Sequence, residues 1–177
     1  MKWSKLKQLV EDGFAPSLKG RVHIYSTAYQ CSCGRGWFTI DGEEIADLST
    51  MLSGSIYPAV NHEATNTRCA KHPAVPMSDR TPGKIVEPGE FSRFDLHKAC
   101  WEYIHNIGPD RSLLSNNPLI VALSVLSEKI GTRKLKLMAK NSDLHPLVKK
   151  LLEFRLAKES KMPSFSLNSN EAEEIET

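Results

Sequence analysis

Between residues 1 and 14 the apolar side chains Trp3, Leu6, Val10 and Phe14 recur every three or four positions, with Lys2, Lys5 and Lys7 outside that stripe. This spacing lines one face of an α-helix and predicts an amphipathic helix at the start of the chain. Gly13 is its expected stop, because glycine enters a left-handed cap without steric cost. Over residues 21–28 the period falls to two: Val22, Ile24 and Ser26 alternate with His23 and Tyr25, as in a strand. Two further strands, residues 36–40 and 43–48, flank Asp41-Gly42, a dipeptide suited to the two positive φ angles of a type I′ turn. A regular two-residue turn sets Phe38 opposite Ile45 and Trp37 opposite Ala46.

Residues 49–91 break the pattern. They carry Pro58, Pro73, Pro76, Pro82 and Pro88, half of the ten prolines, and keep no period. Structureless stretches beyond about 15 residues are uncommon in compact domains and often functional. A short strand is expected at Lys84-Ile85-Val86. Helical order returns at Ser92, an N-cap with Asp95 three residues on, while Phe91 and Leu96 hold the hydrophobic-staple positions. Leu96, Cys100, Tyr103 and Ile107 form the stripe, widened by Ala99 and Ile104, and Gly108-Pro109 closes it.

The last third is helical with a weak repeat. Asn117-Pro118-Leu119-Ile120 returns as His145-Pro146-Leu147-Val148, each placing proline at the first helical position. Their stripes continue through Leu123, Leu126 and Ile130, and through Leu151, Leu152 and Arg155. Gly131 is expected to cap the first helix, and Thr132 to start a short one containing Leu135 and Met138. Two such units resemble a HEAT-type helix hairpin, although a local helical layer on the sheet is the simpler arrangement. From about Lys161 the chain turns to Ser, Asn and Glu, a composition expected to be disordered.

The fold class is therefore α+β: one domain over residues 1–160, in which a small antiparallel sheet of three or four strands packs against an N-terminal helix and a C-terminal helical layer. Residues 161–177 form an acidic tail. A length of 177 residues with 40% apolar and 25% charged side chains fits one globular domain. No apolar run approaches the ~18 residues of a membrane helix, and the N-terminus lacks a signal-peptide core, so a cytoplasmic location is expected. The four cysteines, Cys31, Cys33, Cys69 and Cys100, are too few for a secreted disulfide framework. Net charge is +2, yet residues 132–161 hold nine basic and three acidic side chains, and residues 162–177 hold four glutamates and no base.

Several strings together resemble a family of small, uncharacterised bacterial proteins of unknown function. They are Met1-Lys2-Trp3-Ser4-Lys5-Leu6, Leu18-Lys19-Gly20-Arg21-Val22, Gly34-Arg35-Gly36-Trp37, Asp41-Gly42, Gly89-Glu90-Phe91-Ser92-Arg93-Phe94-Asp95, Asn117-Pro118-Leu119-Ile120, Gly131-Thr132-Arg133-Lys134-Leu135 and His145-Pro146-Leu147-Val148. The resemblance covers most of residues 1–156 and brings no catalytic residue with it. Cys31-Ser32-Cys33 is not part of it.

Three constellations bear on chemistry. Cys31, Cys33, Cys69 and His72 make a Cys₃His set for tetrahedral zinc, although Cys-x-Cys is tighter than the usual spacing and free thiols are the simpler explanation. His62, Glu63 and Asp95, with His72, are the candidates for acid–base work; His62-Glu63 lacks the second histidine of a zincin helix. Phosphate-binding loops, dinucleotide glycine patterns and nucleophile elbows are missing. The basic residues Arg133, Lys134, Lys136, Lys140, Lys149, Lys150, Arg155 and Lys158 suit nucleic acid or an ordinary solvated helix face, with Phe154 the one aromatic among them. Trp37 and Trp101 are expected to pin sheet to helix; Trp101 and Arg35 are also candidate partner contacts. The expectation for function is a non-enzymatic module that binds another protein, without a cofactor and without a membrane. The alternatives are a zinc-binding or hydrolytic protein centred on residues 62–72 and a nucleic-acid binder through residues 133–158.

Overall fold

The computed structural model describes residues 1–28, 34–49, 83–87 and 90–160. Helix α1 (Trp3–Asp12) is followed by a 3₁₀ turn (Pro16–Leu18) and strands β1 (Val22–Ala28), β2 (Gly34–Ile40) and β3 (Glu43–Ser49). Helices α2 (Arg93–His105), α3 (Pro109–Ser112), α4 (Pro118–Leu126), α5 (Thr132–Met138) and α6 (Pro146–Glu159) complete the described chain. The strands form one antiparallel sheet in the order β1-β2-β3. The architecture is α+β, as the periodicities predict. The tail from residue 161, expected to be disordered, and most of the proline-rich segment lie outside the described residues.

Leu6 and Val10 of α1 are fully buried. The helix stops at Gly13, which stays right-handed at φ −82° instead of taking the expected left-handed cap. Docking of the next residues ends it: the Ala15 N–H donates to Leu126 O at 2.8 Å and the Glu128 N–H to Gly13 O at 2.9 Å.

Asp41 and Gly42 hold φ of 52° and 86°, the type I′ pattern. Arg21 clamps the turn with two 2.7 Å hydrogen bonds to the Asp41 carboxylate. Beyond the turn the register departs from expectation. Thr39 lies opposite Glu44, but Phe38 lies opposite Ala46 and Trp37 opposite Asp47, so Ile45 is an extra residue in a β-bulge. Strand side chains alternate faces, and a regular ladder would turn Ile45 and Asp47 toward the core. The extra residue instead brings Ala46 and Leu48 inward beside Phe38, all three buried. Ile85 and Val86 form a bend and not the strand expected over residues 84–86; Gly83 ahead of them holds φ 86° and breaks an extended run.

Helix α2 crosses β2 where the sheet has least side chain. A Cβ on Gly36 would meet Leu96 Cδ2 at 2.9 Å, so glycine is what allows that close approach. The predicted capping box is present: Ser92 Oγ accepts from the Phe94 and Asp95 N–H groups, and the Asp95 carboxylate accepts from the Ser92 N–H at 2.8 Å. Trp37 and Trp101 do not join sheet to helix. Alternation sends Trp37 to the outer face, where it stacks on Tyr25 at 5.0 Å, and Trp101 leans out of α2 against His105 at 3.9 Å.

Every residue of α4 from Leu119 to Leu126 is buried, as befits a helix that is apolar all round. It packs against α2 and α6, so the two proline-started units build a local helical layer. Asn117 Oδ1 caps α4 and His145 Nδ1 caps α6, each accepting the N–H two residues on. Helix α4 ends at Leu126, five residues before the expected cap at Gly131, and Ile130 is buried from the turn between.

Arg155 explains that ending. It belongs to the apolar stripe of α6 and is only 2% exposed. Its guanidinium donates to the carbonyls of Val125 (2.8 Å), Ser127 (2.6 Å) and Ile130 (2.6 Å), and to Glu159 Oε1 at 2.8 Å. A helix leaves its last carbonyls without internal partners, and a cation at its negative end satisfies them.

Candidate functional site

The candidates named from the sequence fall into three groups. Cys31, Cys33, His62, Glu63, Cys69 and His72 lie outside the described residues, and among the described residues no group of three or more His, Cys, Asp or Glu is placed to hold a metal ion. Asp95 is committed to the capping box, where its Oδ2 accepts from both the backbone and the hydroxyl of Ser92. Arg35 is committed across the sheet: its Nε bonds Asp47 at 2.8 Å, its Nη2 bonds Glu44, and its guanidinium lies 5.0 Å from the Trp37 ring.

The basic residues do not share one surface. Arg155 is inside the protein, and Lys134 pairs with Asp110 of α3. Lys150 lines a small hollow with Asp41, Glu43 and Glu153 beside the hairpin, whereas Lys149 and Lys140 line another with Glu153. Arg133, Lys136 and Lys140 remain exposed on and just after α5. Trp101 is 38% exposed at one side of α2, near His97, whose pKa is lowered by burial and then by neighbouring Arg93.

A groove of about 750 Å³ opens between α3 and the turn after it, α5, and the start of α6. Leu113 and Leu114 form one wall and Leu137 and Met138 another, over a floor of Pro118, Val121, Leu144 and Val148. Leu114 is 84% and Leu137 60% exposed, the two most exposed large apolar side chains among the described residues. Isolated exposed leucines are ordinary, but two lining one groove mark a surface that excludes water poorly when empty.

Lys134, Asp110 and His145 at the groove are already engaged, while the Asp143 carboxylate at its edge is exposed and meets the Ser142 hydroxyl. Lys134 meets Asp110 at one end. At the other, His145 Nδ1 accepts the Leu147 N–H at 3.1 Å, and its Nε2 donates to Glu90 Oε1 at 2.7 Å. With both ring nitrogens used, the pair holds α6 in place; it offers no free nitrogen to take a proton from a bound molecule. Glu90 Oε2 in turn accepts the Glu87 N–H at 2.8 Å. This arrangement suits apolar contact more than proton transfer.

From the sequence, Pro118, Met138 and Val148 count only as helix-building residues, and none of the groove's apolar side chains is marked as a site; of its lining Lys134 alone is a candidate. The available signal was Leu137, an apolar side chain off the Leu135 stripe of its own helix, together with the Leu113-Leu114 pair in a segment with no period. Among the described residues no helix is long and apolar enough to cross a membrane. No curated protein and no solved structure matches the chain. A family model matches residues 2–156, the span of the resemblance seen in the strings themselves, and the chain belongs to the SF0329 protein family.

Proposed function

We propose that the protein is a non-enzymatic binding module of the bacterial cytoplasm, and that the groove between α3, α5 and α6 receives an apolar helical segment of another protein. The observation that carries this reading is the pair Leu114 and Leu137, largely exposed yet lining one groove. A helical occupant follows from the walls. Among the described residues they are helices and turns that present side chains, with no strand edge along them for an extended peptide to pair with. A helix satisfies its own backbone and offers only its apolar face.

The test is a selection of displayed helical peptides on the full chain, counter-selected on the Leu114→Asp/Leu137→Asp double variant. Both leucines are exposed, so the variant should keep its fold. Peptides that lose at least about tenfold in affinity on the variant are expected, as for a hot-spot contact. Peptides that bind both proteins alike, or none at all, would sink the proposal.

A further inference from the structure

We infer that the helix this groove receives carries a lysine or arginine beyond one end of its apolar stripe, paired with Asp143 beside the start of α6. The inference rests on the proposed groove and adds the charge of its partner. Four ionisable side chains line the groove: Asp110, Lys134, Asp143 and His145. Lys134 and Asp110 pair with each other at one end and leave it neutral. At the other end the His145 ring accepts the Leu147 N–H at Nδ1 and donates to Glu90 at Nε2, the pattern of an uncharged imidazole.

Asp143 is different. It is exposed, and its carboxylate meets the Ser142 hydroxyl at 3.1 Å but no basic partner among the described residues. Its backbone is held, because the Asp143 N–H donates to Asn141 Oδ1 at 2.9 Å and so fixes the turn ahead of α6. Lys140 and Lys149, on either side of it in the chain, line a separate hollow with Glu153. Among its lining side chains the groove is thus neutral at one end and negative at the other, with apolar walls between. A helix with leucines at i, i+4 and i+7 fills the apolar part, and a base one turn beyond that stripe completes the ion pair. A glutamate there is repelled. Because one end alone carries net charge, the pair also sets which way round the helix lies.

The experiment uses the full chain and three labelled model helices, with affinity read by fluorescence anisotropy at low and at physiological salt. The first has leucines at i, i+4 and i+7 and an arginine one turn beyond each end of the stripe. The second has glutamates in place of the arginines; the third keeps the arginines but has serines for leucines. The arginine helix is expected to bind about fivefold more tightly than the glutamate helix, the upper range for one exposed ion pair. The preference should shrink with added salt. It should fall to near-equal binding in Asp143→Asn and reverse in Asp143→Lys, with the urea midpoints of both variants matching wild type.

Equal binding of the first two helices by wild type, or an unchanged preference in both variants, overturns the cationic flank and leaves the groove standing. A lowered urea midpoint with an unchanged preference makes Asp143 a residue of the turn alone and overturns it likewise. Weak binding of the serine helix, and of the arginine helix to Leu137→Asp, supports the groove separately. Binding by none of the three helices overturns both.

Discussion

Replacing Arg155 by methionine removes one side chain, strands the carbonyls of Val125 and Ile130, and leaves Ser127 O with the Ile130 N–H at 3.2 Å. Val125, Ser127 and Ile130 each lose a charged donor at 2.6–2.8 Å, and Glu159 loses its guanidinium partner. Hydrogen bonds to a charged donor are worth about 1.5–3 kcal/mol each, but bonds made by one side chain are not additive. Removing one partner from a buried network costs about 3–5 kcal/mol, and that is the expected loss. Exchange of a whole buried ion pair for apolar groups is sometimes neutral. No such exchange exists here, because the acceptors are main-chain atoms that remain whatever residue 155 becomes.

Urea unfolding measures the effect. With m of about 2 kcal/mol/M, a loss of 4 kcal/mol lowers the midpoint by about 2 M at unchanged m. Arg155→Lys keeps the charge but replaces a planar fork by a point donor that cannot span three carbonyls, so about half the loss is expected. If Arg155→Met stays within about 1 kcal/mol of wild type, the guanidinium is not what ends α4 and the reasoning fails.

Other substitutions test other parts of the account. Gly36→Ala places a methyl against Leu96 and should destabilise by about 1–3 kcal/mol in the same assay, through overpacking where α2 crosses the sheet. Ser92→Ala removes the cap of α2 and should cost about 1 kcal/mol by thermal or urea unfolding. Hydrogen bonding from Arg21 lowers the pKa of Asp41, so its contribution is present above the unfolded carboxylate value, near 4, and is lost as pH falls through the lower folded value. The gap in melting temperature between wild type and Asp41→Asn should therefore be open at pH 7 and close in that acid range. Burial pushes the Cys100 thiol pKa well up, and mass spectrometry after iodoacetamide should find Cys100 alkylated in urea but not in the native protein.

What was legible in the sequence was local. The Ser92-Asp95 box, the Asp41-Gly42 turn and the two proline-started helices depend on residues within four positions of one another, and all formed where the pattern put them. What misled was set from a distance. Asp41-Gly42 fixes the turn but not the ladder beyond it; the register of β3 is decided by which side chains the helical layer will cover, and Ala46 and Leu48 win over Ile45 and Asp47 through the bulge. Gly13 and Gly131 both look like caps. Yet α1 is stopped by docking on residues 126–128, and α4 by an arginine from the far end of the domain.

The groove was hidden for a related reason. In a seven-residue helix, Leu135, Leu137 and Met138 fit a buried stripe almost equally well, because two turns cannot resolve a 3.6-residue period from a chance cluster. Only the position of α3 and the first turn of α6 decides that Leu135 is covered while Leu137 stays 60% exposed. The same placement separates the lysines that composition had pooled. Lys134 is taken by Asp110 at the groove, Lys140 and Lys149 line a separate hollow with Glu153, and Arg133 and Lys136 are exposed on α5. Net charge over residues 132–161 could suggest an anionic partner but could not say where it would lie. Once Arg155 is counted as a structural cation and Lys134 as paired, the remaining bases are spread over separate surfaces, Lys150 beside the hairpin and Lys140 and Lys149 at another hollow.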